Sequence, residues 1–236
     1  MAIKRLLSRE ESERGDSSAS VLKKEAASLS TLQHPNIVSV YDLSSDETGM
    51  FIVMELLEGD TLADWLQRGP MELPDFKEFA TQTLEGILSA HQVNILHRDL
   101  KPENIKMNRL PGGRLQAKIV DFGLARMSYA ARKQTEDQSG NVLGSIFYMA
   151  PEQLLRKSLD GRTDLYSLGC VFYQCLTGHR PFDGETVRNV MDAHLHHTVA
   201  DLRQVCPQIP APISEWVMWM INLDQMHRPA NARAAL

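Results

Sequence analysis

Cysteine is scarce in this sequence, and no long apolar run occurs. Three cysteines, Cys170, Cys175 and Cys206, lie among 236 residues at spacings that fit no metal site. Their odd number argues against a disulfide framework and favours a reducing compartment. The densest apolar stretch, residues 216–221, is much shorter than the ~20 residues of a membrane helix, so it predicts a short buried helix.

Positive charge is not in excess, and no glycine-rich phosphate loop is present. The net charge of -5 gives no reason to expect a nucleic-acid partner. No Gly-x-Gly-x-x-Gly sequence occurs, and Gly112-Gly113 indicates a turn between strands. The length suits one catalytic unit with a sizeable core rather than two independent domains.

The hydrophobic pattern predicts strands in the N-terminal part and helices after it. Residues 37–43 and 50–57 are β-branched or apolar runs on either side of a polar turn, which indicates a hairpin. Between residues 76 and 88, apolar side chains recur every three or four positions, which predicts an amphipathic helix. A further helix is predicted to begin at Asp164. Cys170 and Cys175 lie in its apolar run and are expected to be small residues of the protein core.

Three short motifs follow one another along the chain. They are His-Arg-Asp-Leu-Lys-Pro-Glu-Asn at 97–104, Asp-Phe-Gly at 121–123 and Ala-Pro-Glu at 150–152. Each alone is a weak signal, but the ordered set is very hard to obtain by chance. It supplies a base, a positive charge and two oxygen ligands, which phosphoryl transfer needs for positioning and charge neutralisation.

Four side chains of these motifs are candidates for the chemistry. Asp99 is the candidate catalytic base, which accepts the proton of an acceptor hydroxyl or orients that hydroxyl. Lys101 follows two residues later and counters the charge of the transferred phosphate. Asn104 and Asp121 offer oxygen ligands of the kind that Mg²⁺ prefers, with Mn²⁺ as the alternative cation.

The motif set resembles the eukaryotic-type (Hanks-type) serine/threonine protein kinases, and segments 149–153 and 161–169 are similar to bacterial members. The resemblance implies an α+β fold with two lobes. Residues 1–57 would form a partial, strand-rich N-lobe, from its third strand to the start of the hinge. Residues 58–236 would form the end of the hinge and a mainly helical C-lobe that is incomplete at its C-terminal end.

The resemblance also implies nucleotide-binding residues in the N-lobe. The opening Met-Ala-Ile-Lys resembles a strand motif in which Ala2 packs on adenine and Lys4 contacts the phosphates. Glu25 matches the helix glutamate that pairs with this lysine, and residues 34–38 match the turn after that helix. ATP is therefore the implied phosphate donor.

Residues 55–59 match the hinge between the lobes. In this resemblance Met54 guards the inner adenine pocket, and backbone groups of Glu55 and Leu57 bond the adenine edge. Lys106 falls where the family places an aliphatic residue beneath adenine. Its methylene stem can serve there while its ammonium reaches water.

Other conspicuous residues are expected to be structural. The family aspartate that matches Asp164 is buried and holds the catalytic-loop backbone. Glu152 and Arg228 resemble a buried ion pair, whose disruption strands a charge. Three nearby histidines suggest a metal, but no pattern completes a tetrahedral set, so a solvated helix end is expected. These are His194, His196 and His197.

The resemblance implies transfer of the γ-phosphate of ATP to serine and threonine hydroxyls of protein substrates. Lys101 and Ser145 resemble the pair that confines such a small hydroxyl near Asp99. The absence of the glycine-rich loop leaves one alternative, a catalytically impaired kinase-like binding or regulatory module.

The chain opens at the strand that follows the glycine-rich loop in the family. We therefore expect the native reading frame to extend upstream by about 20 to 40 residues that contain this loop, because the strand edge and the phosphates are otherwise uncovered. We also expect a cytoplasmic location and no membrane contact from this segment, although related bacterial kinases often continue into a membrane span.

Overall fold

A computed structural model describes residues 1–8, 32–47, 49–122 and 144–236 of the chain. The first sheet contains β1 (Ala2–Ser8), β2 (Val40–Asp46) and β3 (Gly49–Met54). These strands are antiparallel in the order β1-β3-β2, so β3 lies in the centre.

The hairpin predicted from the hydrophobic runs is confirmed by the pairing of β2 with β3. Its turn is shorter than expected, because residues 44–46 continue β2 instead of forming the turn. Polar side chains are compatible with a strand at this position, because one face of a small antiparallel sheet is exposed to water.

The second sheet contains β4 (Asp60–Thr61), β5 (Ile105–Arg109) and β6 (Leu115–Ile119), antiparallel in that order. The predicted turn at Gly112 and Gly113 joins β5 to β6, and both glycines have left-handed backbones, with φ of 91° and 83°. This hairpin matters for the site because residues 102–104 precede β5 and Asp121 follows β6.

Segment 36–38 connects the two sheets. Ile37, predicted to lie in the hairpin, instead bridges to Ile119 of β6. The Val38 amide donates to the Ile119 carbonyl (2.9 Å), and the Ile119 amide donates to the Asn36 carbonyl (2.8 Å). Asn36 is itself buried and donates to the Ala117 carbonyl at 2.9 Å. The chain before β2 is therefore attached directly to the strand that leads to Asp121.

Helices make up most of the regular secondary structure described after β3, with short 3-10 turns at Pro102–Asn104, Ile146–Tyr148 and Gln225–His227. The α-helices are α1 (Leu62–Leu66), α2 (Leu73–Gln92), α3 (Pro151–Leu154), α4 (Gly161–Thr177), α5 (Val187–Leu195), α6 (Leu202–Val205), α7 (Ala211–Met220) and α8 (Ala232–Ala235). Within the described residues, no helix combines the length and apolarity needed to cross a bilayer.

The apolar stripe of α2 packs onto α4, as its periodicity predicts. Phe76 and Phe79 are buried, and their rings meet Phe172 edge to face at centroid distances of 5.6 and 5.8 Å. Burial of each such ring contributes about 1.5–3 kcal/mol. This packing joins α2, which precedes the loop at residues 97–104, to α4, which carries Asp164.

Helix α4 begins three residues before the predicted start at Asp164. The side chain of Asp160 caps it by accepting a hydrogen bond from the Arg162 amide at 2.8 Å. Cys170 and Cys175 are fully buried on this helix, as expected. Burial raises the pKa of both thiols, so they are protonated packing residues.

Candidate active site

Asp164 of α4 anchors the loop of residues 97–104, which confirms the structural role expected for it. The carboxylate accepts hydrogen bonds from the amides of His97 (2.9 Å) and Arg98 (2.8 Å), and lies 2.8 Å from His91 Nε2. Burial opposes ionisation, but the bonds from His91 and the backbone outweigh it and keep the pKa of Asp164 below its usual value. A charged, fully buried aspartate thus fixes the loop backbone.

Two residues at the site adopt a left-handed backbone that non-glycine residues rarely use. Arg98 and Asp121 both have φ of 67°. The Arg98 conformation is fixed on both sides, by its amide bond to Asp164 and by its carbonyl, which accepts from Gln153 Nε2 at 2.9 Å. Such conformations persist where the surroundings over-determine them, and they cluster at functional sites.

Asp99, Lys101 and Ser145 lie close together, although Ser145 is 44 residues after Lys101 in the sequence. The Lys101 ammonium lies 3.4 Å from Asp99 Oδ2 and donates to Ser145 Oγ at 2.7 Å. Asn104 Nδ2 donates to the carbonyl of Asp99 (2.8 Å) and to its carboxylate (3.2 Å). A carboxylate, an ammonium and a hydroxyl therefore share one small volume.

Asn104 and Asp121 are brought side by side by the hairpin of β5 and β6. The Val120 amide donates to the Asn104 carbonyl at 2.9 Å, which places residue 121 next to the loop. The nitrogen of the Asn104 side chain is committed to Asp99, so its oxygen is left for another partner. One amide oxygen and one carboxylate fit a hard divalent cation.

Lys4 of β1 reaches across to Asp121, with 2.5 Å between Lys4 Nζ and Asp121 Oδ2. Both side chains keep contact with solvent, at 43% and 23% exposure, so the pair borders an open cleft. The glutamate predicted to pair with Lys4, Glu25, lies outside the described residues, as does the polar segment before it.

His97 packs on Phe122 behind the site, and this role of the histidine was missed by the sequence reasoning. Their rings are 4.6 Å apart between centroids, and both residues are buried. His97 Nδ1 accepts from the Asp99 amide (3.3 Å), and Nε2 lies 2.8 Å from the Val120 carbonyl, so the proton sits on Nε2. The imidazole thus ties the backbone of Asp99 to the residue before Asp121.

A small apolar pocket lies beside Asp121 and Phe122 and is lined by Val38, Val40 and Met54, among others. Met54 ends β3 and is the register partner of Ala2 on β1. The structure therefore brings Ala2, Met54 and Asp121 to one end of the first sheet.

Residues 55–57 follow directly after β3. The Glu55 amide donates to the Ser39 carbonyl at 2.9 Å, and the Glu55 carboxylate contacts Lys118 Nζ with both oxygens at 2.7 Å. Partial burial raises the pKa of Glu55, but the bonds from Lys118 and Ser39 outweigh it and lower it overall. Within the described residues, no protein hydrogen bond engages the backbone of Leu57. Sequence reasoning missed Lys118, because its position in a strand gives no indication of its partner.

Lys106 lies in β5, opposite Thr61 of β4 and Lys118 of β6. Its ammonium donates to the Gly59 carbonyl at 3.0 Å. The end of the side chain is thus drawn towards the connection between residue 57 and β4.

The Ala-Pro-Glu segment is held by the ion pair expected from its sequence. Arg228 Nη1 and Nη2 donate to the two oxygens of Glu152 at 2.8 and 3.0 Å, and both residues are buried. Thr163 Oγ1 also donates to Glu152 at 2.9 Å. This pair joins α3, α4 and the segment before α8.

The prediction that the three histidines lie on a solvated helix end is wrong for His194. His194 is fully buried on α5, whereas His196 is exposed and His197 is partly buried beside Phe182. Helix periodicity explains the difference, because position 194 shares a face with the buried Val190.

Comparison with known proteins agrees with this geometry. A family described as protein kinase domain matches residues 1–236. The chain therefore belongs to the protein kinase domain family, and the expected α+β fold and kinase resemblance are confirmed. Proteins of this family use ATP and a divalent metal ion.

Among curated relatives, the chain is 35% identical over 207 residues to serine/threonine-protein kinase PrkC of Bacillus subtilis, covering 87% of this chain and 31% of the relative. It is 35% identical over 212 residues to serine/threonine-protein kinase pkn2 of Myxococcus xanthus, covering 89% and 25%. With serine/threonine-protein kinase PknL of Mycobacterium tuberculosis, the identity is 35% over 211 residues, covering 89% and 51%. The chain spans between a quarter and a half of the length of these relatives.

Proposed function

We propose that this chain is the catalytic domain of an ATP-dependent serine/threonine protein kinase, with residues 1–57 in the N-lobe and hinge start and residues 58–236 in the hinge end and C-lobe. The observation that carries the proposal is the position of Lys101, whose ammonium lies 3.4 Å from Asp99 and 2.7 Å from Ser145. This arrangement supports a site where a small hydroxyl is held beside a carboxylate and a positive charge.

Asp99 acts as the catalytic base in this proposal. Its carboxylate is oriented by Asn104 (3.2 Å) and remains 25% exposed, so an acceptor hydroxyl can reach it. The carboxylate orients that hydroxyl for in-line attack and takes its proton as the new oxygen–phosphorus bond forms. The bond between the γ-phosphorus and the β–γ bridging oxygen breaks in the same transfer, and ADP leaves. Lys101 counters the negative charge of the phosphate that is transferred.

Asn104 and Asp121 are the proposed ligands of the divalent metal, for which we propose Mg²⁺ ahead of Mn²⁺. Few protein oxygens combined with substrate phosphates are typical of Mg²⁺ sites. When bound, the metal neutralises charge on the phosphate oxygens. Lys4, beside Asp121, is the proposed phosphate contact, with Glu25 as its partner.

ATP is the proposed nucleotide, and its adenine the group recognised beside the hinge. Ala2 and Met54 supply apolar surface at the end of the first sheet, and the Lys106 stem supplies it on the second sheet. The Glu55 amide is already bonded to Ser39, so the Glu55 carbonyl and the backbone of Leu57 are the proposed partners of the adenine edge.

Serine and threonine residues of protein substrates are the proposed acceptors, because the bridge from Lys101 to Ser145 narrows the space in front of Asp99. The negative net charge does not favour a nucleic-acid partner. A cytoplasmic location and no membrane contact by this segment complete the proposal.

The decisive experiment compares wild type, Asp99→Asn and the control Asp192→Asn, which changes an exposed aspartate of α5. Each protein is incubated with labelled ATP and Mg²⁺, and a mixture of myelin basic protein and casein serves as the acceptor. Transfer is measured together with the melting temperature. We expect Asp99→Asn to lose about 10²- to 10⁴-fold of the transfer rate with an unchanged fold, and the control to match wild type.

Near wild-type transfer by Asp99→Asn would contradict the role of Asp99. Mainly tyrosine phosphorylation would contradict the acceptor assignment. ATP-dependent stabilisation without transfer by wild type would favour the alternative, a kinase-like binding or regulatory module, since a ligand that binds only the folded state raises its stability.

A further inference from the structure

Arg180 is an exposed cation beside the segment that contains Ser145. Residues 145–148, here named the acceptor segment, begin at Ser145, whose hydroxyl accepts from Lys101 at 2.7 Å. Two residues later, the guanidinium of Arg180 covers the ring of Phe147, with 3.7 Å between Arg180 Cζ and the ring centroid. Phe147 is buried, whereas the side chain of Arg180 keeps 36% exposure. An acceptor that approaches this ring therefore meets the guanidinium first.

The backbone on both sides of Arg180 is fixed. Helix α4 ends at Thr177, and the hydroxyl of this residue accepts a hydrogen bond from the His179 amide at 3.0 Å. On the other side, Pro181 and Phe182 are both buried. Because Arg180 lies between these two anchored points, its side chain is presented to the acceptor segment from a rigid part of the chain.

The charge of Arg180 is only weakly balanced by the protein. Within the described residues its ion pair is with Asp183, at 3.9 Å, and the side chain of Asp183 is 65% exposed. So long and exposed a pair contributes little. The guanidinium is a planar fork of N–H donors that matches the two oxygens of a carboxylate. A carboxylate of another molecule can therefore bind Arg180 without displacing a strong partner.

Two opposite charges act on the acceptor segment at Tyr148. Burial raises the pKa of the Tyr148 phenol, Glu103 raises it further, and Arg180 opposes that rise. Glu103 belongs to the loop that carries Asp99, whereas Arg180 follows α4. An acceptor that crosses this segment meets one negative and one positive side chain, so a carboxylate is favoured only at the position next to Arg180.

We propose that Arg180 is a specificity-determining residue, which selects protein acceptors that carry an aspartate or glutamate close to the phosphorylated serine or threonine. Because the guanidinium lies over the residue two positions after Ser145 and an extended peptide advances about 3.3–3.6 Å per residue, the acidic residue is about two to four positions from the acceptor hydroxyl. This inference rests on the proposed kinase function and names the class of acceptor that the site prefers.

The test compares wild type, Arg180→Gln and Arg180→Glu with the control Arg203→Glu, which makes the same charge change at an exposed arginine of α6. The acceptors are synthetic peptides with one serine in an otherwise uncharged sequence. Glutamate, glutamine or lysine is placed in turn at each of about four positions on either side of the serine. Transfer from ATP gives kcat/KM for each peptide, and the melting temperature of each protein is measured alongside.

We expect wild type and Arg203→Glu to prefer glutamate over glutamine about two- to fivefold at one position, the range of exposed ion pairs. Arg180→Gln should lose this preference, and Arg180→Glu should prefer lysine at the same position. Equal kcat/KM for the glutamate and glutamine peptides at every position in wild type would overturn the inference. A glutamate preference that persists in Arg180→Gln would also overturn it, and so would an equal fall for all peptides, which indicates that the side chain only supports Phe147.

The salt dependence of wild type supplies a measurement that needs no variant. Raising the NaCl concentration from about 0.05 to 0.5 M should reduce the preference for glutamate, because salt screens exposed charges. A preference that is independent of salt would overturn the inference, since it would not arise from the charge of Arg180.

The outcomes separate this inference from the proposed function. Transfer to the peptides without a glutamate preference leaves the proposed function in place and defeats the inference alone. Transfer to casein or myelin basic protein but to none of the peptides would place recognition outside the acceptor segment and also overturn the inference. No transfer by wild type to any acceptor defeats the proposed function, and the inference with it.

Discussion

Replacing Glu152 by glutamine removes the negative partner of a buried cation. Glu152 and Arg228 are 4% and 3% exposed, and the pair is joined by two bonds of 2.8 and 3.0 Å. Glutamine has nearly the same shape, but its terminal amide nitrogen is a hydrogen-bond donor and would face a donor nitrogen of Arg228. The guanidinium then stays buried without a counter-charge.

The size of the effect follows from that stranded charge. Removing one partner of a buried ion pair costs about 3–5 kcal/mol, because solvent cannot replace the lost partner. A domain of this size loses about 2–4 °C in Tm for each kcal/mol, which predicts a decrease of about 6 to 20 °C. Three backbone carbonyls that also accept from Arg228, those of Arg162, Asn222 and Leu223, keep the side chain in place and increase its isolation from water.

Thermal unfolding followed by circular dichroism measures the difference, with Arg188→Gln as the control. Arg188 also belongs to an ion pair, but its side chain is 91% exposed and lies 3.9 Å from Asp192. An exposed pair contributes little to stability, so the Tm of Arg188→Gln should equal that of wild type. A decrease below about 2 °C for Glu152→Gln would refute the reasoning, because it would mean that the charge is solvated or otherwise balanced.

Three further predictions concern the site. Asp121→Asn should weaken Mg²⁺-dependent ATP binding at least tenfold in a calorimetric titration, because it removes the charged ligand oxygen, and an unchanged Mg²⁺ dependence would exclude metal ligation. Lys118→Met should raise KM for ATP several-fold with little change in acceptor KM, because the freed Glu55 carboxylate no longer fixes the backbone of the proposed hinge; equal ATP KM values would contradict this. Asp164→Asn should melt below wild type at pH 7, with a difference that shrinks as pH falls below about 4. Asp164 has a lowered pKa in the folded state, so its contribution is present above the unfolded pKa and is lost as acid protonates it; a difference in Tm that stays constant down to about pH 3 would contradict this.

Local patterns in the sequence were sufficient for several elements. The spacing of apolar residues predicted α2 correctly because a helix repeats every 3.6 residues and one stripe must be buried. The glycine pair predicted the turn between β5 and β6 because left-handed backbone favours glycine. Where a local rule was overlooked, the boundary was wrong, as at the Asp160 cap of α4.

The candidate site was predictable to a similar extent. The ordered motifs predicted Asp99, Lys101, Asn104 and Asp121 as one set, because phosphoryl transfer needs a base, a positive charge and oxygen ligands, and these roles stay predictions. The distances among them, and the contact of Lys101 with Ser145 at 2.7 Å, depend on how the loop, the β5–β6 hairpin and residues 144–148 pack together.

The sequence by itself therefore indicated the proposed chemistry and determined the local elements, since both depend on residues that are neighbours in the chain. The tertiary structure decided which distant groups support them: Asp164 bonds the loop backbone at residues 97–98, Lys118 pairs with Glu55, and Ser145 accepts from Lys101. These partners are separated by tens of residues, and no periodicity records such a separation. Their contacts form only when helices and sheets pack together, because packing removes water from these polar groups and they must then hydrogen-bond to other protein groups.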